Sequence, residues 1–252
     1  MLIKTPGEID AIRESSSIVA GVLSYTEKFL NPGITTLEID RIVEDYIKSK
    51  DGIPAFQGYN VHKNIFPASS CISINEEVVH GIPGSRKLVE GDIVSIDVGV
   101  KKNGYYGDGA KTYAVGEVSP AKKKLLKIAE ESLYLGLENA TDGNYINDVS
   151  LAIHQHVEAA GFSIVRDLVG HGIGKELHEE PPIPNYYHSG YRTRFKEGMT
   201  VAIEPMVNYG TYKVKVLGDK WTYVTADGKP SAHFEHSVLI TKGQPEILTK
   251  EN

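Results

Sequence analysis

The residues best placed to do chemistry in this chain are carboxylates set among apolar neighbours, where a charge is costly. Asp97 stands in GDIVSIDVGV and Asp108 in YYGDGAKTYAV, two runs that flank Lys101-Lys102-Asn103-Gly104. The pattern predicts a hairpin over 92–115 with a four-residue turn, in which Val100 faces Tyr105 and Asp97 falls directly opposite Asp108. Val94, Ile96 and Val98 alternate onto the other face, so the strand is packed on both sides. A lone Asp in a strand can sit at an exposed edge. Two opposed carboxylates repel unless a proton or cation lies between them, and buried charges are ordinarily paired or metal-bound, so the pair points to a cation.

Further ligands are available downstream. His171 opens HGIGKELHEEPP, where glycines allow a sharp turn that presents the ring. Glu204 lies in TVAIEPMV, surrounded by Val201, Ile203, Met206 and Val207, and Glu235 lies in AHFEH just before a strand-like run. Asp97, Asp108, His171, Glu204 and Glu235 together offer four negative charges and one imidazole, which two divalent ions would neutralise. Such an oxygen-rich set suits Mn, Fe(II), Co or Zn and is a poor match for thiolate-selected metals. A carboxylate-bridged metal pair generates hydroxide and polarises a carbonyl, so the natural chemistry is hydrolysis of an amide or ester.

The elements that must hold these residues alternate between helix and strand. Apolar residues recur at helical spacing over 8–30, 36–50, 120–139 and 146–160, with breaks at Asn31-Pro32-Gly33, Asp51-Gly52, Asp142-Gly143 and Gly161. Cys71–Asn75, Phe162–Asp167, Thr200–Val207, Tyr212–Val216 and Ser237–Thr241 read as strands. Placing Gly33 on Gly143 also places Ile39 on Val149, Val43 on Ile153 and Ile47 on Val157. The expectation is a single α+β catalytic domain, 1–252, of two related halves (about 1–115 and 116–252). Its helices cover a curved, mostly antiparallel sheet, with a site at the junction.

Composition bounds the rest. At 252 residues, 40% hydrophobic and 24% charged, the chain can bury a core without disulfides or structural metal, so a metal here is functional. A net charge of −6 argues against a nucleic-acid partner, and the run Lys122-Lys123-Lys124 reads as a solvated helix face. Cys71 is the only cysteine, which excludes an intramolecular disulfide. The N-terminal stretch lacks the apolar core of a signal peptide, and no apolar run approaches the length of a membrane span. A cytoplasmic location is expected.

CISINEEVVHGIPG, GDIVSIDVGV, GYYGDGAKTYAVG, GHGIGKELHEEP, GMTVAIEPMV and SAHFEHSVLIT occur in an order that resembles the type I methionine aminopeptidases, of the pita-bread fold, over nearly the full length. The resemblance implies removal of the initiator methionine from nascent polypeptides when the second residue is small. It implies that Asp97 chelates one metal, that Asp108 and Glu235 bridge two, and that His171 and Glu204 complete the second sphere, with Glu204 also the proton-handling base. His178 resembles the histidine that holds the scissile carbonyl, and His80 the one that contacts the peptide and helps protonate the leaving amine. Tyr59, Phe66, Cys71 and Trp221 take the positions of the methionine pocket, where a thioether packs well on aromatic and sulfur groups. The stretch over residues 60–65 is longer than the family's, which bears on Tyr59, and Leu177 stands where an aromatic is frequent. The interval from His178 to Glu204 is too short for the helical insertion of the type II enzymes. The family role implies transient ribosome contact and, by default, a monomer without membrane attachment. Two other readings remain: a proline-specific peptidase on the same fold, which ordinarily carries a large N-terminal domain, and a metal-free binding module, which would have lost these ligands.

Overall fold

The computed structural model describes residues 2–250. Its four long helices start where the sequence supplies caps. Helix α1 (Pro6–Glu27) begins at Thr5, whose side chain and that of Glu8 form a capping box with Pro6 in the first turn. Helix α2 (Thr36–Ser49) repeats the box with Thr35 and Glu38. Helix α3 (Pro120–Leu137) is capped by Ser119, and α4 (Ile146–Ala159) opens where the Tyr145 N–H donates to Asp148 at 2.8 Å. All four expected helices are present, with ends moved by up to three residues towards these caps and stops.

The helices cover a nine-stranded antiparallel sheet: β1 (Ile53–Pro54), β2 (Cys71–Ile74), β3 (Ile93–Lys102), β4 (Tyr105–Ala114), β5 (Gly170–Gly172), β6 (Glu179–Ile183), β7 (Thr200–Ile203), β8 (Glu235–Leu239) and β9 (Glu246–Ile247). The order is β1-β3-β4-β8-β7-β5-β6, with β2 also on β3 and β9 also on β8. Val94, Ile96, Val98 and Val100 of β3 are fully buried and pack in one core with Val19 and Val22 of α1 and Ile39, Val43 and Ile47 of α2. A second core gathers Leu125, Ala129 and Leu133 of α3, Val149, Ile153 and Val157 of α4, and Val201, Ile203 and Val238 of the sheet. Helix α1 lies directly on β4 because residue 107 is glycine; a Cβ there would stand 2.6 Å from the Ser16 nitrogen.

The hairpin register differs from the sequence expectation. Lys102 pairs with Tyr105, so the turn is the two residues Asn103-Gly104, both at positive φ (52° and 83°). Asn-Gly favours this two-residue turn because its twist matches that of the strands. Asp97 therefore faces Ala110, and Asp108 faces Gly99. The displacement is even, so both acids remain on one face, diagonal rather than opposite.

Other boundaries moved for local reasons. The run expected over 200–207 breaks at Glu204-Pro205 into β7 and Met206–Asn208, since proline has no N–H for the ladder. The strand expected over 237–241 starts earlier, at Glu235; those expected over 162–167 and 212–216 shorten to Ser163–Ile164 and Val214–Val216. His171 lies not in a turn but in β5, where Gly170 and Gly172 admit the carbonyls of Ala202 and Glu180 at close approach. Lys122 departs from the solvated face, donating to Asn75 Oδ1 and the Gly91 carbonyl, both at 2.7 Å. Each helix pair is tied alike to the segment that leads into a sheet strand: Gly33 N–H to the Leu88 carbonyl and Thr36 N–H to Arg86 before β3, Gly143 N–H to Phe195 and Ile146 N–H to Thr193 before β7. Among the described residues no helix is long and apolar enough to cross a membrane.

Ile96 joins the packed helical face to the face that carries the acids. Ile96→Ala should cost about 2–5 kcal/mol of stability in urea unfolding. A loss no larger than that of an Ile→Val change, about 0.5–1.5 kcal/mol, would mean that the helices do not depend on this strand.

Candidate active site

Strand pairing carries the acids to one place. Asp97 on β3 has Cys71 of β2 on one side and Ala110 of β4 on the other. Ala110 in turn faces Glu235 on β8. His236 faces Ile203, so Glu204 leaves the end of β7 next to Glu235, and Ala202 faces His171 on β5. Side chains that alternate along adjacent strands thus converge from five strands on one face.

The backbone around them is tied down. Asp108 N–H donates to Ser237 Oγ at 3.0 Å, and the Ser237 hydroxyl donates back to the Asp108 carbonyl at 2.7 Å. Asp40 of α2 accepts from the N–H groups of Ser69 and Ser70, holding the entry to Cys71. His171 Nδ1 is 2.9 Å from the Gly172 carbonyl, which can only accept, so the proton sits on Nδ1 and the Nε2 lone pair is free. That Nε2 lies 3.5 Å from Glu204 Oε1 and 3.9 Å from Asp108 Oδ2.

Two groupings have one ligand atom per residue, all within 4.8 Å of one another: Asp108, His171 and Glu235, and Glu204, His233 and Glu235. Asp97 falls outside both, although Asp108 is the charge that acts on it most. Asp97 Oδ1 and Glu235 Oε1 are buried without a hydrogen-bond partner among the described residues. His233, 1% exposed, was missed in the sequence, where AHFEH drew attention to Glu235 alone. The available signal was its spacing of two from Glu235, which places both on one face of an extended chain.

Burial sets the protonation. Desolvation, then the Asp108 charge, raises Asp97 well above the usual carboxylate range. Desolvation raises Asp108 to about 7. Glu204 and Glu235 rise well above their ordinary value by desolvation and by the neighbouring acids. The same burial lowers His171 and His233 to about 3 and His80 to about 4, leaving all three neutral. The Cys71 thiol is pushed up by desolvation and stays protonated, so it serves as an apolar wall and not as a nucleophile.

The acids form the floor of a cleft of about 210 Å³ that every sequence-predicted site residue lines: Asp97, Asp108, His171, Glu204 and Glu235 with Cys71, Tyr59, Phe66, His80, His178 and Trp221. Phe56, Val61 and Leu177 also line it. Phe66 packs edge-on against Trp221 at 5.2 Å and against Phe56 at 6.4 Å. Residue 99 is glycine where Phe56 comes closest; a Cβ there would meet the ring at 2.6 Å. The long 60–65 stretch forms a small hairpin, Asn60–Val61 with Asn64–Ile65, at the rim. It leaves Tyr59 in the cleft, with its hydroxyl 2.6 Å from His178 Nδ1. His178 is solvent-facing, and its ring lies 4.3 Å from that of His171. His80 has φ 59°, an uncommon backbone for a side chain of its size, and its ring is flanked edge-on by Tyr223 and Trp221.

A model of metallopeptidase family M24 matches residues 10–242. The chain is 51% identical over 250 residues to methionine aminopeptidase 1 of Bacillus subtilis, covering 99% of each. The crystal structure of methionine aminopeptidase from Thermotoga maritima superposes with a TM-score of 0.95 at 45% identity, covering 100% of both chains. The chain belongs to metallopeptidase family M24, among its methionine aminopeptidases. Its fold is the pita-bread fold expected from the sequence. A prolidase from Pyrococcus furiosus shares that fold alone, at 24% identity and a TM-score of 0.80, and this chain spans 66% of its length.

The M24 family implies a divalent metal, and these residues fit one. Carboxylates beside a lone-pair imidazole are hard, anionic donors, and the orphaned oxygens of Asp97 and Glu235 are groups that a cation would satisfy.

The protonation pattern gives a stability test. Histidines depressed in the fold add stability as pH rises towards their unfolded value of 6.5 and nothing more above it. Carboxylates raised in the fold stabilise it most below their ordinary range and lose that contribution as pH rises through their folded values, about 7 for Asp108. The Tm of chelator-treated protein should therefore fall between roughly pH 6.5 and 8, and saturating Mn(II) or Co(II) should remove the fall, since ligation needs ionised carboxylates. A metal-free Tm that holds steady across this window contradicts the burial of the acids.

Proposed function

We propose that this protein removes N-terminal methionine from newly made polypeptides whose second residue is small, with two divalent ions held by Asp97, Asp108, His171, Glu204 and Glu235. The observation that carries this reading is the convergence of three buried carboxylates and the partly buried Glu204 on one lone-pair imidazole at the floor of an apolar cleft. The ligand set admits Mn, Fe(II), Co or Zn. When bound, such ions supply Lewis acidity to a carbonyl and lower the pKa of water enough to give hydroxide near neutrality.

The remaining steps fall to side chains. Glu204, partly buried and facing His171, takes the proton from the attacking water and delivers it to the leaving amine. Tyr59 keeps its own proton, because burial and the neighbouring acids raise it. It donates to His178 Nδ1, which fixes the other tautomer of that ring and leaves Nε2–H to donate to the carbonyl oxygen as negative charge develops. His80, held neutral by burial, meets the peptide from the opposite wall and assists the leaving nitrogen. Phe56, Phe66, Cys71, Leu177 and Trp221 offer an unbranched thioether an apolar, polarisable slot, in keeping with the methionine named in the relatives. We read the chain as one catalytic domain of two related halves, supported by the matching ties of its helix pairs to the segments that lead into β3 and β7.

The direct test is hydrolysis of Met-Ala-Ser and Met-Leu-Ser peptides with and without Mn(II) or Co(II). Metal-dependent methionine release from the first peptide alone is expected; release from neither, with metal bound, overturns the reading. Glu204→Gln should abolish turnover without unfolding the chain, and near-normal turnover would remove Glu204 from the mechanism. His178→Ala should lower kcat by about 10²–10³. Tyr59→Phe should lower it by up to about tenfold, one hydrogen bond's worth. That Tyr59 effect should vanish in the His178→Ala background; if it persists, the hydroxyl acts elsewhere.

A further inference from the structure

His233 takes no part in the site as the family resemblance describes it, yet it is 1% exposed and its ring lies beside Glu204 and Glu235. It ends the short strand Ser231–His233 and pairs with Met206, just beyond the Glu204-Pro205 break. Its backbone is clamped from β4: His233 N–H donates to Thr112 Oγ1 at 2.9 Å, and the Thr112 hydroxyl donates to the His233 carbonyl at 2.7 Å. Ser95 Oγ, on the neighbouring strand, lies 2.8 Å from the same hydroxyl. The backbone that carries the ring is thus held by a network spanning three strands.

Neither ring nitrogen has a hydrogen-bond partner among the described residues. Nε2 lies 3.8 Å from Glu204 Oε2 and 3.9 Å from Glu235 Oε2. Those distances are too long for hydrogen bonds; an N–H aimed at a buried carboxylate would close to about 2.7–2.9 Å. They are close to what a shared cation requires. Metal–nitrogen and metal–oxygen bonds of about 2.0–2.2 Å put neighbouring donor atoms roughly 3.0–3.4 Å apart, so Nε2 needs to approach each oxygen by only about half an ångström.

We propose that His233 is a second imidazole ligand of this centre, its Nε2 joining Glu204 and Glu235 around one of its divalent ions. The proposal rests on the metal-dependent reading above and adds to it a sixth ligand residue. It also makes a statement about metal choice. Imidazole favours Zn, Fe and Co over Mn relative to carboxylate, so a second ring moves the centre away from an oxygen-only preference.

X-ray absorption of the chelator-treated full chain, reloaded anaerobically with two equivalents of Co(II), reads the number of imidazoles directly. Wild type should show scattering from two rings per two ions, and His233→Gln and His171→Gln one each. Calorimetric titration of His233→Gln should show at least tenfold weaker binding of one Co(II) equivalent, a changed visible Co(II) spectrum and a smaller loss for Mn(II). One imidazole in wild type overturns the proposal even if His233→Gln weakens binding, since His233 would then act only through the carboxylates. Unchanged Co(II) affinity and spectrum in His233→Gln overturn it as well. Wild type that takes up no Co(II) removes the metal reading itself, a result distinct from either. Because the wild-type imidazole count needs no variant, misfolding of His233→Gln leaves the test intact.

Discussion

The fold is organised around one unfavourable act, the burial of four carboxylates within reach of one another. In water these groups would ionise independently. Inside the sheet each loses hydration and the Asp108 charge raises the other three, so they persist only as protonated acids or as ligands of a cation. The structure around them answers that cost. Antiparallel strands turn alternate residues to opposite faces, so β3 can give its valines and isoleucines to the helices while showing Asp97 to the cleft. Hydroxyl groups of Ser95, Thr112 and Ser237 tie adjacent strands beneath the acids, so the ligand backbone does not relax away from the repulsion.

Desolvation acts on acids and imidazoles in opposite senses but towards one state. It raises the carboxylates and lowers His171 and His233, so every group near the floor is driven to its neutral form. For an acid this is a liability that a divalent ion reverses. For a histidine it is preparation, because only the neutral ring has a lone pair to offer. A low-dielectric floor therefore presents ready imidazole donors beside carboxylates that gain from ionising once a cation arrives. Metal binding and the local stability of the sheet are for that reason one equilibrium.

Much of this was legible in the residues. Helix periodicity and the breaks at Asn31-Pro32-Gly33, Asp51-Gly52, Asp142-Gly143 and Gly161 placed the four helices, and alternation in GDIVSIDVGV placed Asp97 on the face away from the core. A four-residue count at the turn puts the hairpin register in error, because Asn103-Gly104 carries the preference for a two-residue turn. The error left the site standing only because it was even. His171 was assigned to a turn because glycines signal flexibility locally; here they serve close strand approach, which depends on Ala202 and Glu180, far away in the chain. His233 and the Tyr59–His178 hydrogen bond were beyond local reading for the same reason. Each gains its meaning from a partner on another strand or loop, and no periodicity records that.

The site divides its labour by backbone type. Residues that meet charge come from strands or strand ends: Asp97, Asp108, His171 and Glu235 within the sheet and Glu204 at the end of β7. Their positions are set by ladders on both sides, and a shift of one would entail breaking several backbone hydrogen bonds. Residues at the cleft mouth come from connections: His80 at positive φ, Tyr59 beside the small rim hairpin, and His178 between β5 and β6. These are held by side chains, Tyr223 and Trp221 against His80 and the Tyr59 hydroxyl against His178, while Lys4 anchors the residue after His178 through a 2.7 Å ion pair with Glu179. A ligand shell has to hold its geometry through every turnover, whereas groups that grip a peptide must admit different neighbours beyond the first residue. Strands supply the first property and loops the second, so the cleft is rigid at its floor and adaptable at its rim. The same division explains how the rim can carry a longer loop and an aliphatic Leu177 without disturbing the acids beneath.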